Sequence, residues 1–310
     1  MIATLRRASL PLTVTGFAML GVLALALIGL AVDPRQVTGA PAWLKPAKFA
    51  VSISLYSFTL AWIFTFLEGW PRTRRWVGWT TAIVMFIEMA IIGGQAYRGT
   101  TSHFNASTVL DTTLFSIMGA AIVMQTLSSV AVAVALWRQT FGDVALGWAL
   151  RLGMTLTIAG AFTGGLMTTP TSEQLARARA GERMTIAGAH TVGAPDGGPG
   201  LAGTGWSTEH GDLRVPHFLG LHALQALPLV ALALARRRAQ DHIRVRLVWI
   251  SAVSYMALFI ILLTQALRGQ SVIAPDMTTL ALLGSWLVST GAAAYLAATA
   301  GRSARKLVAC

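Results

Sequence analysis

Long apolar runs constrain this chain more than any other feature. Each is about 20 residues, enough to cross a bilayer core of roughly 30 Å, and they recur along all 310 residues. Eight spans are predicted, at about 10–32, 46–67, 77–97, 112–136, 146–167, 216–235, 247–267 and 279–299. With 55% hydrophobic and only 12% charged residues, the expected fold is an all-α polytopic membrane protein. The first run follows Arg6 and Arg7 like a signal peptide. Its apolar core is longer than the usual roughly 7–15 residues and no clear small-residue cleavage site follows, so it reads as an uncleaved span.

The net charge of +12 would suit a nucleic-acid partner, but its distribution does not. With the N-terminus in the cytoplasm, 15 of the 24 Lys and Arg residues fall inside against Glu68, Asp143 and Asp241. The inner set includes Arg6, Arg7, Arg72, Arg74, Arg75 and the cluster at Arg236 to Arg238. The outer loops are nearly neutral. This is the pattern of the positive-inside rule. It predicts a bacterial cytoplasmic membrane protein with both termini cytoplasmic, the lipid bilayer as partner and no nucleic acid. The single cysteine, Cys310, excludes an intrachain disulfide and a cysteine-based metal site. Its place at the end of "LVAC" leaves no room for a prenylation motif.

The chain repeats itself. "IIGGQAYRGTTS" (91–102) aligns with "ILLTQALRGQSV" (261–272) at an offset of 170, matching Gln95, Ala96, Arg98 and Gly99 to Gln265, Ala266, Arg268 and Gly269. The same offset pairs Pro46 with Pro216, Arg74 with Arg244 and Trp79 with Trp249, giving ten identities in the 57 positions from 46 to 102. Two four-helix repeats follow, 1–140 and 141–310, parallel because four is even. The second carries an insertion, the extracytoplasmic segment 168–215. "TPTSEQLARARAG" predicts a short helix capped by Thr171 and Ser172, with Glu173 in its first turn and Gly181 as a stop. The Gly- and Pro-rich stretch after it holds His190, Asp196, Trp206, His210 and Asp212, too many chemical groups for a plain linker. An ordered lid is expected.

Chemistry concentrates on the lid side. His103, His190, His210, His217 and His222 fall there, and only His242 lies inside. Glu88 is the one acid well within a span. It sits about 10 Å below Gln95 at 1.5 Å per residue, nearly two turns away and on the same face. His222 is about 9 Å below Pro216, with Gln225 at i+3. Its counterpart in the first repeat is Ser52, one turn below Lys48. Charged groups at such depth face the bundle or water, so Glu88 and His222 are the candidate catalytic pair. Gln95, Arg98, Asn105, Asp212, Arg214, Gln225, Gln265, Arg268 and Lys48 are candidate substrate or anion ligands. Arg98 and Arg268 read either as caps on helix C-terminal carbonyls or as two forks for one anion. Glu88 reads either as a proton carrier or as a buried group paired with a lysine. A metal would draw on His103, His190, His217 and His222, although His217 and His222, five apart, cannot both reach one ion from an ideal helix. A b-type haem, with Arg98 and Arg268 on its propionates, is the other cofactor considered.

"DGGPGLAG" is not a P-loop, and no GxSxG occurs. "RGTTSHFN" (98–105), "HTVGAPDGGPG" (190–200) and "GDLRVPHFLGLHALQ" resemble an uncharacterised family of bacterial multi-pass membrane proteins, a resemblance that implies no activity. The four-plus-four topology is similar to that of haem A synthase, but the second and eighth spans here lack histidine and the Glu-x-x-His-Arg motif is missing, so the likeness is one of architecture. Three functions remain open: a membrane-embedded enzyme or redox protein with an outward His/Glu/Arg site; a transporter or exporter of an anionic or lipid-like solute; and a membrane accessory or binding subunit.

Overall fold

The computed structural model describes residues 1–237 and 240–308, with side chains through Thr299. Cys310 and Arg238, and the side chains of Arg302, Arg305 and Lys306, lie outside the described residues. The chain is an all-α polytopic membrane protein. Among the described residues, seven helices are long and apolar enough to cross a membrane, and an eighth span is complete if a bent pair is taken as one.

In chain order the helices are α1 (Ile2–Ala8), α2 (Leu10–Val32), α3 (Leu44–Ile63), α4 (Pro71–Arg98), α5 (Val109–Arg138), α6 (Val144–Thr168), α7 (Ser172–Arg179), α8 (Arg214–Arg236), α9 (Asp241–Leu267) and α10 (Met277–Val308). A hairpin of Gln36–Val37 and Ala40–Pro41 links α2 to α3. The ends follow local rules. Pro11 and Pro71 stand in the first turns of α2 and α4, where a missing N–H costs nothing. Gly99 ends α4 in the left-handed conformation, which favours glycine. Helix α7 forms where expected: Thr171 caps it, Gln174 completes the reciprocal capping box, and Gly181 follows at φ 86°.

Packing divides the chain into two compact units. Unit 1 holds Met1–Ala135 with Gly165–Trp206, and unit 2 holds Leu136–Gly164 with the chain from Ser207 on. By sequence the inserted segment belongs to the second repeat. By packing, most of it belongs to unit 1.

In unit 1, α2, α3, α4 and α5 enclose Met19, Ala50, Ile53, Val84, Met85, Met89 and Ala121. Small residues bring helices close, as in lipid-embedded bundles generally. A side chain at Gly16 would run into the Phe58 ring, and one at Gly29 into Trp43. In unit 2, Gly160 of α6 lies against Gly220 of α8 so tightly that a Cβ on either would strike the other's backbone. Trp148 packs between Trp137 and Trp249 at ring distances of 5.7 and 4.9 Å. Large apolar side chains such as Leu25, Val123, Leu127, Leu287 and Val288 point outward, the reverse of a water-soluble surface and suited to acyl chains.

The two QAxRG segments adopt one geometry, each within its own unit. Gly99 and Gly269 have φ of 70° and 71°. Gln95 Nε2 donates to the carbonyl of Thr101 at 3.3 Å and Gln265 Nε2 to that of Ser271 at 2.8 Å, a pair again 170 positions apart.

Candidate functional site

Unit 1 gathers the richest set of polar groups, at the end covered by residues 165–206. The covering segment is tied down through its backbone. The amides of Ala106 and Ala187 donate to the carbonyls of Thr185 and Phe104 at 2.8 and 2.9 Å, and Ala189 donates to Met167 at 2.9 Å. Gln174 uses both ends of its amide on Gly188. Phe104 is 5% exposed and holds φ at 62°, a left-handed backbone that a bulky residue keeps only when its surroundings enforce it. Here they do: its ring packs against Phe115 at 5.8 Å and His190 at 4.8 Å.

Beneath this cover, the first turns of α3 carry Lys45 and Lys48. Lys45 Nζ lies 3.1 Å from Nδ1 of His103, and Ser102 Oγ lies 3.0 Å from the same nitrogen. Lys48 Nζ donates to the Thr204 carbonyl at 2.9 Å, tying α3 to the cover. Below them Glu88 is 2% exposed. Its Oε1 has no hydrogen-bond partner among the described residues, and the charge that reaches it is that of Lys45.

Glu88 belongs to a seam. Arg74, Thr81, Glu88 and Gln95 recur every seven residues along α4, nearly two turns each, and so share a face. Thr81, Glu88 and Gln95 are buried. Thr81 Oγ1 and, on α3, Ser57 Oγ are buried without a partner among the described residues. On α5, Gln125 Nε2 donates to the Tyr56 hydroxyl at 3.0 Å, which lies 3.2 Å from Ser129 Oγ. The half of unit 1 away from the cover therefore also carries buried polar groups.

Other predicted site residues serve the frame. Arg98 donates to Gln95 Oε1 and, at 2.7 Å, to Asp111 Oδ1, which also accepts from Gln95 Nε2 at 2.9 Å. Thr108 Oγ1 completes the cluster at 2.6 Å from Asp111 Oδ2. Asn105 spends its amide on Thr100, Thr101 and Ser107, within its own loop. His190 Nδ1 lies 2.7 Å from Asp196 Oδ2. Burial alone would raise the Asp196 carboxyl, but the His190 ring and the amides of His190 and Thr191 outweigh it and hold the group well below the usual carboxylate range.

Unit 2 holds the remainder. Asp212, 2% exposed, accepts from the amides of Ser207 and Arg214 and from the Arg214 guanidinium. His217 Nδ1 lies 2.9 Å from the Gly160 carbonyl and 3.0 Å from Thr163 Oγ1. His222 is half-buried beside Phe218, and Gln225 follows it on α8. Arg268 pairs with Asp276 and reaches Thr279. The Thr279 amide, then Arg268, hold the Asp276 carboxyl well below its usual range.

No group of three His, Cys, Asp or Glu side chains able to hold a metal ion occurs among the described residues; of the suggested ligands, His103 and His190 lie in unit 1 and His217 and His222 in unit 2. Arg98 and Arg268 are each occupied by a carboxylate of their own unit. Their bonds run to side chains, Gln95 and Asp111 for Arg98 and Asp276 and Thr279 for Arg268, and none of them goes to a helix C-terminal carbonyl among the described residues.

Sequence reasoning missed Lys45, Asp111 and the Asp196–His190 bond. For Asp111 a signal existed: Thr108-x-x-Asp111 is a capping pattern ahead of an apolar run. The second repeat replaces Lys45, Lys48, Glu88 and His103 by Val215, Phe218, Leu258 and Ile273, so this chemistry is confined to one copy. Comparison with family models, with curated proteins and with solved structures returns no match; the functional reading rests on the residues themselves.

Proposed function

We propose that the chain is a membrane-embedded enzyme whose covered end in unit 1 binds an anionic or lipid-like substrate and exchanges a proton with it. The carrying observation is Glu88: a carboxyl buried in a span, with an oxygen lacking any hydrogen-bond partner among the described residues, under the charge of Lys45. A group so placed is costly to keep unless it is used. Lys45 and Lys48 supply positive charge for the substrate. Glu88 takes a proton from the substrate or returns one, and the Lys45–His103 pair connects it with the covered side. The excess of basic residues in the opposite loops supports an extracytoplasmic orientation for that side.

A second reading, a proton-coupled transporter, is favoured by the seam, since Thr81 and Ser57 extend it toward the far side of the membrane. One experiment separates them. Infrared titration of the protein in proteoliposomes, with pH changed on one side at a time, follows the carboxyl bands. The enzyme reading expects a Glu88 signal, absent in Glu88→Gln, that answers pH only on the covered side. An answer from both sides, with dye-detected proton flux lost in Glu88→Gln, establishes the transporter instead. Identical titrations for wild type and Glu88→Gln overturn both.

A further inference from the structure

The opposite end of unit 1 carries a second, separate arrangement. A pocket of about 200 Å³ opens there, lined by Ser9, Pro11, Pro71, Arg74, Arg75 and Trp79 with the edge of Ala8. That is smaller than the ~300–1,000 Å³ of drug-sized sites and fits a compact polar group.

Two helices begin at this pocket. Ser9 is the N-cap of α2, and α4 starts at Pro71. The first-turn amides of a long helix lack intrahelical acceptors and carry the positive end of its dipole, a combination that attracts phosphate. Neither helix has an acid in its first turn, so nothing local neutralises that charge. Glu68, in the turn before α4, does not line the pocket.

The side chains point the same way, independently of the helix ends. Ser9 is 7% exposed, yet its hydroxyl, at an N-cap position, caps nothing and has no partner among the described residues. Arg74 donates Nη1 to the Phe64 carbonyl at 3.2 Å, while its buried Nε is left without a partner. Neither Arg74 nor Arg75 forms a salt bridge among the described residues. Gly78 is what lets α4 approach: a Cβ there would lie 2.7 Å from Ser9 Oγ. Buried donors left unsatisfied are costly, and a single anion with several acceptor oxygens would satisfy this set together. Trp76 and Trp79 are half exposed beside the pocket, at the depth where indole rings mark the membrane–water boundary.

We propose that this pocket binds a phosphate group, held between the N-termini of α2 and α4 by Arg74, Arg75 and Ser9. The group is carried by a membrane phospholipid or is free in solution, and its chemistry is the same in both. A phospholipid would enter with its chains along the exposed apolar flank of α4, where Ile83 and Phe86 face outward.

The test uses the full chain in a neutral detergent and reads thermal stability against three titrants: a short-chain phosphatidylglycerol, inorganic phosphate, and chloride at matched ionic strength. Saturable stabilisation by the lipid or by phosphate, beyond that of chloride, is expected. Arg75→Gln, which changes an exposed side chain, should weaken the apparent affinity about tenfold, the scale of one charge-assisted hydrogen bond. Ser9→Ala should weaken it severalfold. Arg74→Gln also loses the contact to Phe64, so the conclusion rests on the other two variants. Saturation by lipid alone identifies a lipid head group as the natural source; equal response to inorganic phosphate identifies a free anion. A wild-type response no greater than with chloride, or unchanged affinity in both Arg75→Gln and Ser9→Ala, overturns the proposal.

Discussion

At the scale of single residues, carboxylates divide by what they touch. Asp111, Asp196, Asp212 and Asp276 each accept several hydrogen bonds. Glu88 has no such company. Asp196 makes a clear pH prediction. Its carboxyl is held low in the folded chain, so its contribution is complete above the ordinary carboxylate pKa of about 3.9 and fades as pH falls below it. Hydrogen-exchange protection at the amides of His190 and Thr191, taken against the intrinsic rate at each pH, should be high at neutral pH and fall in acid. Asp196→Asn should raise exchange at neutral pH, by about 2 kcal/mol of local stability, and flatten its dependence on pH. Unchanged exchange in the variant would show that the bond does not hold the loop. Glu88 and Gln95 were legible beforehand because an acid inside an apolar run is conspicuous and seven residues return to the same helix face. Lys45 was not, because its meaning lies in His103, 58 positions away.

At the scale of elements, α8 departs from the simple picture. It bends by 45° between Leu221 and Ala223, around His222. Sharp kinks have local causes, and here the cause comes from α6. Thr157 Oγ1 accepts the amide of Leu224 at 3.0 Å and donates to the Leu221 carbonyl at 3.3 Å, engaging two backbone groups on either side of the bend. Tyr255 takes the Leu219 carbonyl at 2.5 Å, and Pro228 supplies no amide further along. The eight spans could be read from hydropathy, since length and apolarity are local properties. The bend could not, since the proline lies six residues beyond it and the inserted hydroxyl comes from another helix. Thr157→Val should remove both bonds and straighten α8; spin labels at its two ends should move apart by about 2 Å, the difference between a straight and a 45° bent helix of this length. No change in that distance would assign the bend to Pro228. Gly160→Val should do more damage, forcing α6 off the Gly220 backbone and lowering the yield of folded protein, whereas Gly21→Val, with nothing within 4 Å of its Cβ, should be tolerated.

For the molecule as a whole, duplication and packing follow different boundaries. The QAxRG ends keep the same cap, with matching φ at Gly99 and Gly269, so the repeat seen in sequence is also a repeat of local geometry. The polar groups of unit 1 have no such echo, because a frame can be copied while the side chains inside it diverge. Orientation is the molecule-scale prediction. Alkaline phosphatase fused within 182–205 should be active, and fused within 139–142 inactive, in bacterial cells. The opposite result would invert the assignment of both ends.

The grouping of residues 165–206 with unit 1 also has a consequence for biosynthesis. When the ribosome has finished the first half, the basin around Lys45, His103 and Glu88 is still bare. It closes only after about 70 more residues have been translated, several seconds later at roughly 5–20 residues per second. A nascent chain stalled before Trp206 would carry a finished bundle with an open, protease-sensitive mouth, and the enclosed state would arrive only with the second half.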